Sequence, residues 1–186
     1  MRKTIIAIAA CMLLAIAGLY LGSPYWAAYT LEQAAKNGDA DTIDMLADMP
    51  QIREGLKSQI SAVLAAKLNT DPDIKGNPFA ALGALIAPAL VGKVIDAYVT
   101  PDGIARILKN GKPTTQAPGT AAPAPHFTAQ NEYLGLDRFR VRLHDTAADR
   151  AGPSLVFERR GFVTWKLIRI ELPADAFANT PATPDI

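Results

Sequence analysis

Cysteine is all but missing from this chain: the one residue, Cys11, lies inside an apolar run near the N-terminus. Everything after it is therefore without a disulfide, a thiolate nucleophile or a cysteine-based metal site. Histidine is almost as scarce. His126 and His144 stand far apart and in no HxxxH-like spacing, so no zinc pattern is preorganised. An excess of charge is missing too, with 19 Lys and Arg against 18 Asp and Glu and a net charge of +1, which removes the electrostatic footprint of a nucleic-acid binder. Nucleophile and phosphate motifs are absent in turn. Ser154 is in no GxSxG, no Ser-x-x-Lys occurs, and Gly111-Lys112-Pro113-Thr114 lacks the upstream glycine of a phosphate loop. Asp71-Pro72-Asp73 with Gly76 fails as a calcium loop because Lys75 and Leu82 take ligand positions. Asp39, Asp41, Asp44 and Asp48 are helix-start carboxylates, which complement the helix dipole without a cation. No catalytic residue, cofactor or metal site is named by the sequence.

What is present begins with a long hydrophobic run. Arg2 and Lys3 precede Thr4 to Leu21, which carry no charge. As a helix these residues rise about 27 Å, close to the thickness of a bilayer's hydrocarbon core. Tyr20, Tyr25 and Trp26 follow where an interfacial aromatic belt would lie, and no further basic residue occurs until Lys36. That asymmetry places the N-terminus in the cytoplasm and the rest outside. Residues 1–22 read as an uncleaved signal anchor by length and flanks. Ala15-Ile16-Ala17 before Gly18 also offers a signal-peptidase site, so a cleaved signal peptide stays open. Ile8-Ala9-Ala10-Cys11 resembles a lipobox, but the apolar run continues for ten residues beyond it, so Cys11 reads as a small membrane-packed hydrophobe.

The length beyond the anchor suits one domain over 23–172, helical at 23–110, with a Pro-rich loop at 111–126, a sheet at 130–172 and a fraying, disordered tail at 173–186. Ser23-Pro24 is the expected start of a helix over Tyr25–Lys36, ended by Asn37-Gly38. Asp39 caps a second helix that stops at Met49-Pro50. From Gln51, Ile52, Leu56, Ile60, Val63, Leu64 and Leu68 follow a 3.6-residue period, with Lys57, Gln59 and Lys67 on the other side. Asn69 to Asn77 reads as a turn. Phe79 to Val91 is uncharged but too short for a second span, and Pro88 is expected to kink or split it. Phe79, Leu82, Leu85, Ile86 and Leu90 are its candidate binding surface. Thr100-Pro101-Asp102 begins another short helix.

Past the prolines the period becomes 2. Phe139, Val141 and Leu143 alternate with Arg138, Arg140 and Arg142, the pattern of a half-buried antiparallel strand. Ser154–Arg159 and Phe162–Leu172 are two more strands about a tight Arg160-Gly161 turn, with Trp165 as a core anchor. The fold class is α+β: an N-terminal transmembrane helix, several helices, then a three- or four-stranded antiparallel sheet, in outline cystatin-like or nuclear-transport-factor-like. Arg138, Arg140 and Arg142 form a candidate basic face for anionic lipid. Glu132, Asp137, Glu158 and Glu171 stand by to neutralise it as cross-strand partners.

Ser23-Pro24-Tyr25-Trp26-Ala27 after an apolar segment, Asn77-Pro78-Phe79-Ala80, Val99-Thr100-Pro101-Asp102-Gly103, Phe157-Glu158-Arg159-Arg160-Gly161 and Trp165-Lys166-Leu167 together carry a resemblance. The chain resembles an uncharacterised bacterial family of N-terminally anchored envelope proteins, a domain-of-unknown-function family. The resemblance implies a single-pass protein of the bacterial inner membrane with its domain on the periplasmic side, and brings no catalytic residues. The resulting expectation is a non-catalytic domain that binds an envelope protein or a hydrophobic ligand. A membrane-surface module on anionic lipid is the alternative, and a hydrolase stands behind both. Membrane contact through the N-terminal helix is expected in every case, and nucleic acid in none.

Overall fold

The computed structural model describes residues 2–70, 78–104, 127–146 and 149–173, with side chains placed at all of these except 67–70, 78–85 and 87. Helix α1 spans Arg2–Asn37 without a break. Residues 2–19 are exposed on every side, as an apolar helix is when lipid is its solvent. From Ser23 onward one stripe turns inward: Ser23, Pro24, Ala27, Leu31, Ala34 and Ala35 are buried at helical spacing. The expected fresh helix start at Ser23-Pro24 is thus corrected, since Pro24 sits inside a continuous helix. Gly38, at φ 70°, ends it in the left-handed conformation that glycine adopts without a Cβ penalty.

Helix α2, Ala40–Leu46, starts as its sequence predicts: Asp39 accepts from the Thr42 backbone N–H at 3.0 Å and from its hydroxyl at 2.6 Å. Asp48 caps α3, Met49–Thr70, by accepting from the Gln51 N–H, and Pro50 occupies the first turn, where its missing donor costs nothing. Residues 69 and 70 therefore belong to α3 instead of a turn, while 71–77 fall outside the described residues. Helix α4, Pro78–Tyr98, is likewise continuous through Pro88 and on past Gly92-Lys93. Pro88 lies on an exposed flank. There water can hydrate the carbonyl that Pro88 leaves without a partner, so the helix is not split. Thr100 opens the next turn, its Oγ1 accepting from the Gly103 N–H. Residues 105–126, with the Pro-rich loop and His126, lie outside the described set, as does the tail from 174.

The sheet is a four-stranded antiparallel meander, β1 (Phe127–Tyr133), β2 (Arg138–Asp145), β3 (Arg150–Arg159) and β4 (Trp165–Glu171), in that spatial order. Strand β1 begins three residues earlier than the period suggested. Strand β4 begins at Trp165 and not at Phe162: residues 160–164 form the connection, closed by Arg160 N–H to the Thr164 carbonyl at 2.9 Å. The apolar Phe162-Val163 pair belongs to a loop tip, which period counting alone reads as strand.

The helices cover one face of this sheet. Phe139 and Phe157 are fully buried against Ala27, Leu31, Ile43, Met49 and Ile52, with Val141, Trp165 and Leu167 completing the core. Edge strand β4 is closed off from further pairing. Ala47 bridges to Leu167, Asp48 N–H donates to the Leu167 carbonyl at 2.8 Å, and Gln59 pairs with the end of the strand. Its Nε2 donates to the Ile170 carbonyl at 2.8 Å and its Oε1 accepts from the Leu172 N–H at 2.9 Å. Gln59 thus packs on the sheet edge and does not join Lys57 at the solvent side.

Candidate functional site

Three surfaces compete as the working part of this molecule. The first is α4. Lys57 Nζ meets Asp96 at 2.8 Å and Arg53 Nε donates to the Val99 carbonyl at 2.7 Å, so α4 lies antiparallel along α3, with Ile95 turned into the contact. The hydrogen bond to Asp96 raises the Lys57 pKa above its ordinary value. On the flank away from Ile95, Ile86, Leu90, Val94 and Tyr98 recur every fourth residue and stand 48, 58, 56 and 58% exposed. Of the expected surface residues, Ile86 and Leu90 are exposed, and Val94 and Tyr98, beyond the uncharged run, are exposed with them. The side chains of Phe79, Leu82 and Leu85 lie outside the described set. Two open depressions among the described residues have mixed linings: one of about 210 Å³ by Gln130, Arg142, Leu143, His144, Ala151 and Ser154, the other of about 340 Å³ by Gln51, Glu54, Ser58, Ile168 and Arg169. Ile86, Leu90, Val94 and Tyr98 line neither of them.

The second surface is the outer sheet face. Register places Arg138, Arg140 and Arg142 on it together, as the alternation predicted. Each has a carboxylate on a nearby strand: Arg138 with Glu158 on β3 at 3.6 Å, Arg140 with Glu171 on β4, beyond β3, at 3.4 Å, and Arg142 with Glu132 on β1 at 2.7 Å. Of the four acids expected as partners, Asp137 takes another role, its backbone carbonyl accepting from Arg159 N–H. These carboxylates partly neutralise the three arginines. His144 reaches Asp149 at 3.2 Å, but Asp149 is almost wholly exposed and no hydrogen bond joins His144 to Ser154. Among the described residues, no group of three His, Cys, Asp or Glu side chains is placed to hold a metal ion.

The third surface was not anticipated, and it lies where α1 enters the domain. Pro24 has no N–H, so the Tyr20 carbonyl, one turn back, loses its helical partner. Two donors replace it: Ser23 Oγ at 2.8 Å and Arg159 Nη2 at 3.2 Å. Tyr133 Oη donates to the neighbouring Leu21 carbonyl. Burial raises the Tyr133 pKa, which keeps the phenol a donor. The Ser23 hydroxyl in turn accepts from Trp165 Nε1 at 2.8 Å and from Arg159 Nη1 at 3.3 Å. One donor and two lone pairs are thereby all used.

Arg159 is the centre of this collar. Its guanidinium carbon stands 3.6 Å from the Tyr20 ring centroid and 4.3 Å from that of Trp165, a cation–π sandwich. Its nitrogens also bind the Leu136 carbonyl at 3.1 Å and the Phe162 carbonyl at 2.6 Å, one in each of the two hairpin turns at this end of the sheet. Five donors in a planar fork make such a junction feasible, which a lysine could not copy. Tyr25 closes the collar edge-on to Phe139 at 4.9 Å and to Tyr133 at 6.3 Å. Arg159 lies on a strand of the same sheet as the candidate basic face, but its pairing with Trp165 puts it on the helix side. The only signal in the sequence was local: an arginine and a serine-proline step in two of the segments that carry the family resemblance, with nothing to join them across more than 130 residues.

A family model described as "Protein of unknown function (DUF2939)" matches residues 13–107, half of the chain. The match takes in the second half of the membrane-length stretch and the helical part and stops before the sheet. Three of the resembling segments, at Ser23–Ala27, Asn77–Ala80 and Val99–Gly103, fall inside it; the two that carry Arg159 and Trp165 fall outside. No curated protein and no solved structure matches the chain.

Proposed function

We propose that this chain, which belongs to the family described as protein of unknown function (DUF2939), is a non-catalytic docking domain of the bacterial inner membrane. It is anchored once by an uncleaved signal anchor and faces the periplasm. Among the described residues α1 is the one helix long and apolar enough to cross a membrane. The Arg2-Lys3 flank favours a cytoplasmic N-terminus. Continuity of α1 through Ala15-Ile16-Ala17 favours retention of the anchor, because a peptidase must read those residues extended.

The observation that carries the docking role is the exposed ridge of Ile86, Leu90, Val94 and Tyr98. Apolar side chains repeated at four-residue spacing on one helix flank make the surface that a partner's groove or helix covers. The ridge belongs to a helix antiparallel to α3, and α3 runs beside β4 from its membrane end outward, by way of Asp48 at Leu167 and Gln59 at Ile170. A helix that leads outward in this way favours a partner protein over the bilayer surface as the cover of its ridge. The same geometry disfavours a lipid role for the arginine face. Four residues separate Arg138 from Arg142, about 13 Å along a strand that leads away from the anchor.

The test is a photo-crosslinking amino acid placed at Leu90 or Val94 in the full chain, in cells, with the same group at Ser154 as control. Discrete light-dependent protein adducts from the α4 positions and none from Ser154 are expected. Absence of adducts at both α4 positions, or adducts to lipid alone, overturns the docking role.

A further inference from the structure

We infer that the two hairpin tips beside the exit of α1, Leu134–Leu136 and Phe162–Val163, form a second membrane contact seated in the headgroup boundary of the leaflet that α1 leaves. This rests on the reading of α1 as a membrane anchor.

The meander sets the geometry. With strand order β1-β2-β3-β4, the turns at 134–137 and 160–164 share one end of the sheet, and the turn after Asp145 is at the other. The collar fixes that shared end to Tyr20 and Leu21, where the strongly apolar stretch gives way to Gly22-Ser23-Pro24. Tyr133 reaches the Leu21 carbonyl, Phe162 packs on the Tyr20 ring at 5.3 Å, and Arg159 holds both turns by their carbonyls. If Thr4 to Leu21 fill the hydrocarbon core, the tips lie at its rim.

The side chains agree with that level. Leu134, Leu136, Phe162 and Val163 are 42, 72, 58 and 48% exposed, although each sits in a short loop where polar residues cost nothing. The segment 146–149 at the opposite end has no large apolar residue in its sequence, although Phe127 is exposed at that end. Four large apolar groups gathered at the pole from which the anchor emerges point to lipid as their cover. Trp26 and Tyr29, exposed on α1 about one to two turns above Leu21, extend the same belt. Arg160, held by Glu158 at 2.9 Å and near Asp48 at 3.6 Å, stands at the rim of the second tip with its charge already partnered, so the contact is chiefly apolar.

The experiment uses the full chain in vesicles of phosphatidylcholine and phosphatidylglycerol, with Cys11→Ser as background and single cysteines carrying an environment-sensitive fluorophore. Leu136→Cys and Val163→Cys report on the tips, since neither side chain takes part in the collar. Leu14→Cys reports on the anchor, and Thr128→Cys, about 17 Å along β1 from Tyr133, reports on the far end. Lipids spin-labelled near the headgroup should remove about half the emission at 136 and 163 and almost none at 128, as an interfacial depth of 5–10 Å requires. Lipids spin-labelled mid-chain should quench position 14. Quenching at 14 without quenching at 136 and 163 overturns the inference and leaves the anchor intact. No quenching at 14 removes the anchor itself. Equal quenching at 128, 136 and 163 means that the domain lies on its side, which also overturns the inference.

Discussion

Removing one hydroxyl from the collar tests whether it holds the fold together. In Ser23→Ala, Trp165 Nε1 loses the acceptor at 2.8 Å, and Trp165 is only 3% exposed, so water has little access to replace it. The other groups keep partners: the Tyr20 carbonyl retains Arg159 Nη2 and Arg159 Nη1 retains the Phe162 carbonyl. One orphaned buried donor costs about 2 kcal/mol. Alanine returns about 0.5 kcal/mol through its better helix propensity. The net loss is about 1.5 kcal/mol, which for a domain of this size lowers Tm by roughly 3–6 °C. Thermal unfolding of the full chain in detergent micelles, followed by near-ultraviolet circular dichroism, measures it. A double-mutant cycle identifies the cause: in a Trp165→Phe background, which has no donor to orphan, Ser23→Ala should cost nothing. An unchanged Tm for Ser23→Ala, or an equal loss in both backgrounds, would refute the assignment of Ser23 as the acceptor that seats Trp165.

Two further outcomes follow from the same hydrogen-bond accounting. Gln59→Ala should uncap the β4 edge at a cost of about 1 kcal/mol, seen as roughly fivefold faster amide exchange at Leu172, with the Ile52 amide unchanged as internal control. Asp39 has its pKa lowered, first by the Thr42 hydroxyl and then by the Thr42 backbone N–H. Its support of α2 is therefore fully present above the ordinary carboxylate range and is lost as pH falls through the depressed folded value. The Thr42 amide resonance should titrate below that ordinary range and should stop titrating in Asp39→Asn; a midpoint at or above the range would contradict the cap.

Much of this fold could be read from local pattern. The long apolar N-terminal helix, the Asp39 cap, the glycine stop at Gly38, the α3 stripe and the Arg-Phe-Arg-Val-Arg alternation of β2 are all decided by neighbours within a few residues. The misreadings share one cause. Ser23-Pro24 has the residues of a helix start, and it becomes helix interior because Arg159 and Tyr133, more than 100 residues away, help bind the carbonyls at the proline step. Gln59 falls on the polar side of its own helix, yet the Ile170 carbonyl and the Leu172 amide claim it. Phe162-Val163 alternates like a strand start because apolar residues are what period counting sees, whether a core or a bilayer covers them. Of the candidate surfaces, the α4 ridge was half visible: its uncharged run was plain, and its continuation through Val94 and Tyr98 was hidden by Lys93 and Asp96 on other sides of the same helix.

An unbroken α1 also has a mechanical consequence. A domain joined to its anchor by a flexible linker keeps its own orientation however the anchor moves. Here no joint exists between Arg2 and Asn37, and the collar grips the helix at the point where a hinge would otherwise form. The part of α1 from Pro24 to Asn37 is about 20 Å long, so an anchor tilt of about 20° would swing its far end sideways by about 7 Å. Tilt responds to the match between helix length and hydrocarbon thickness. With α1 in a bilayer as proposed, the bilayer's thickness would be converted into the lean of everything built on α1, and the outer surfaces of the domain would move as one arm of a lever whose other arm is in the lipid.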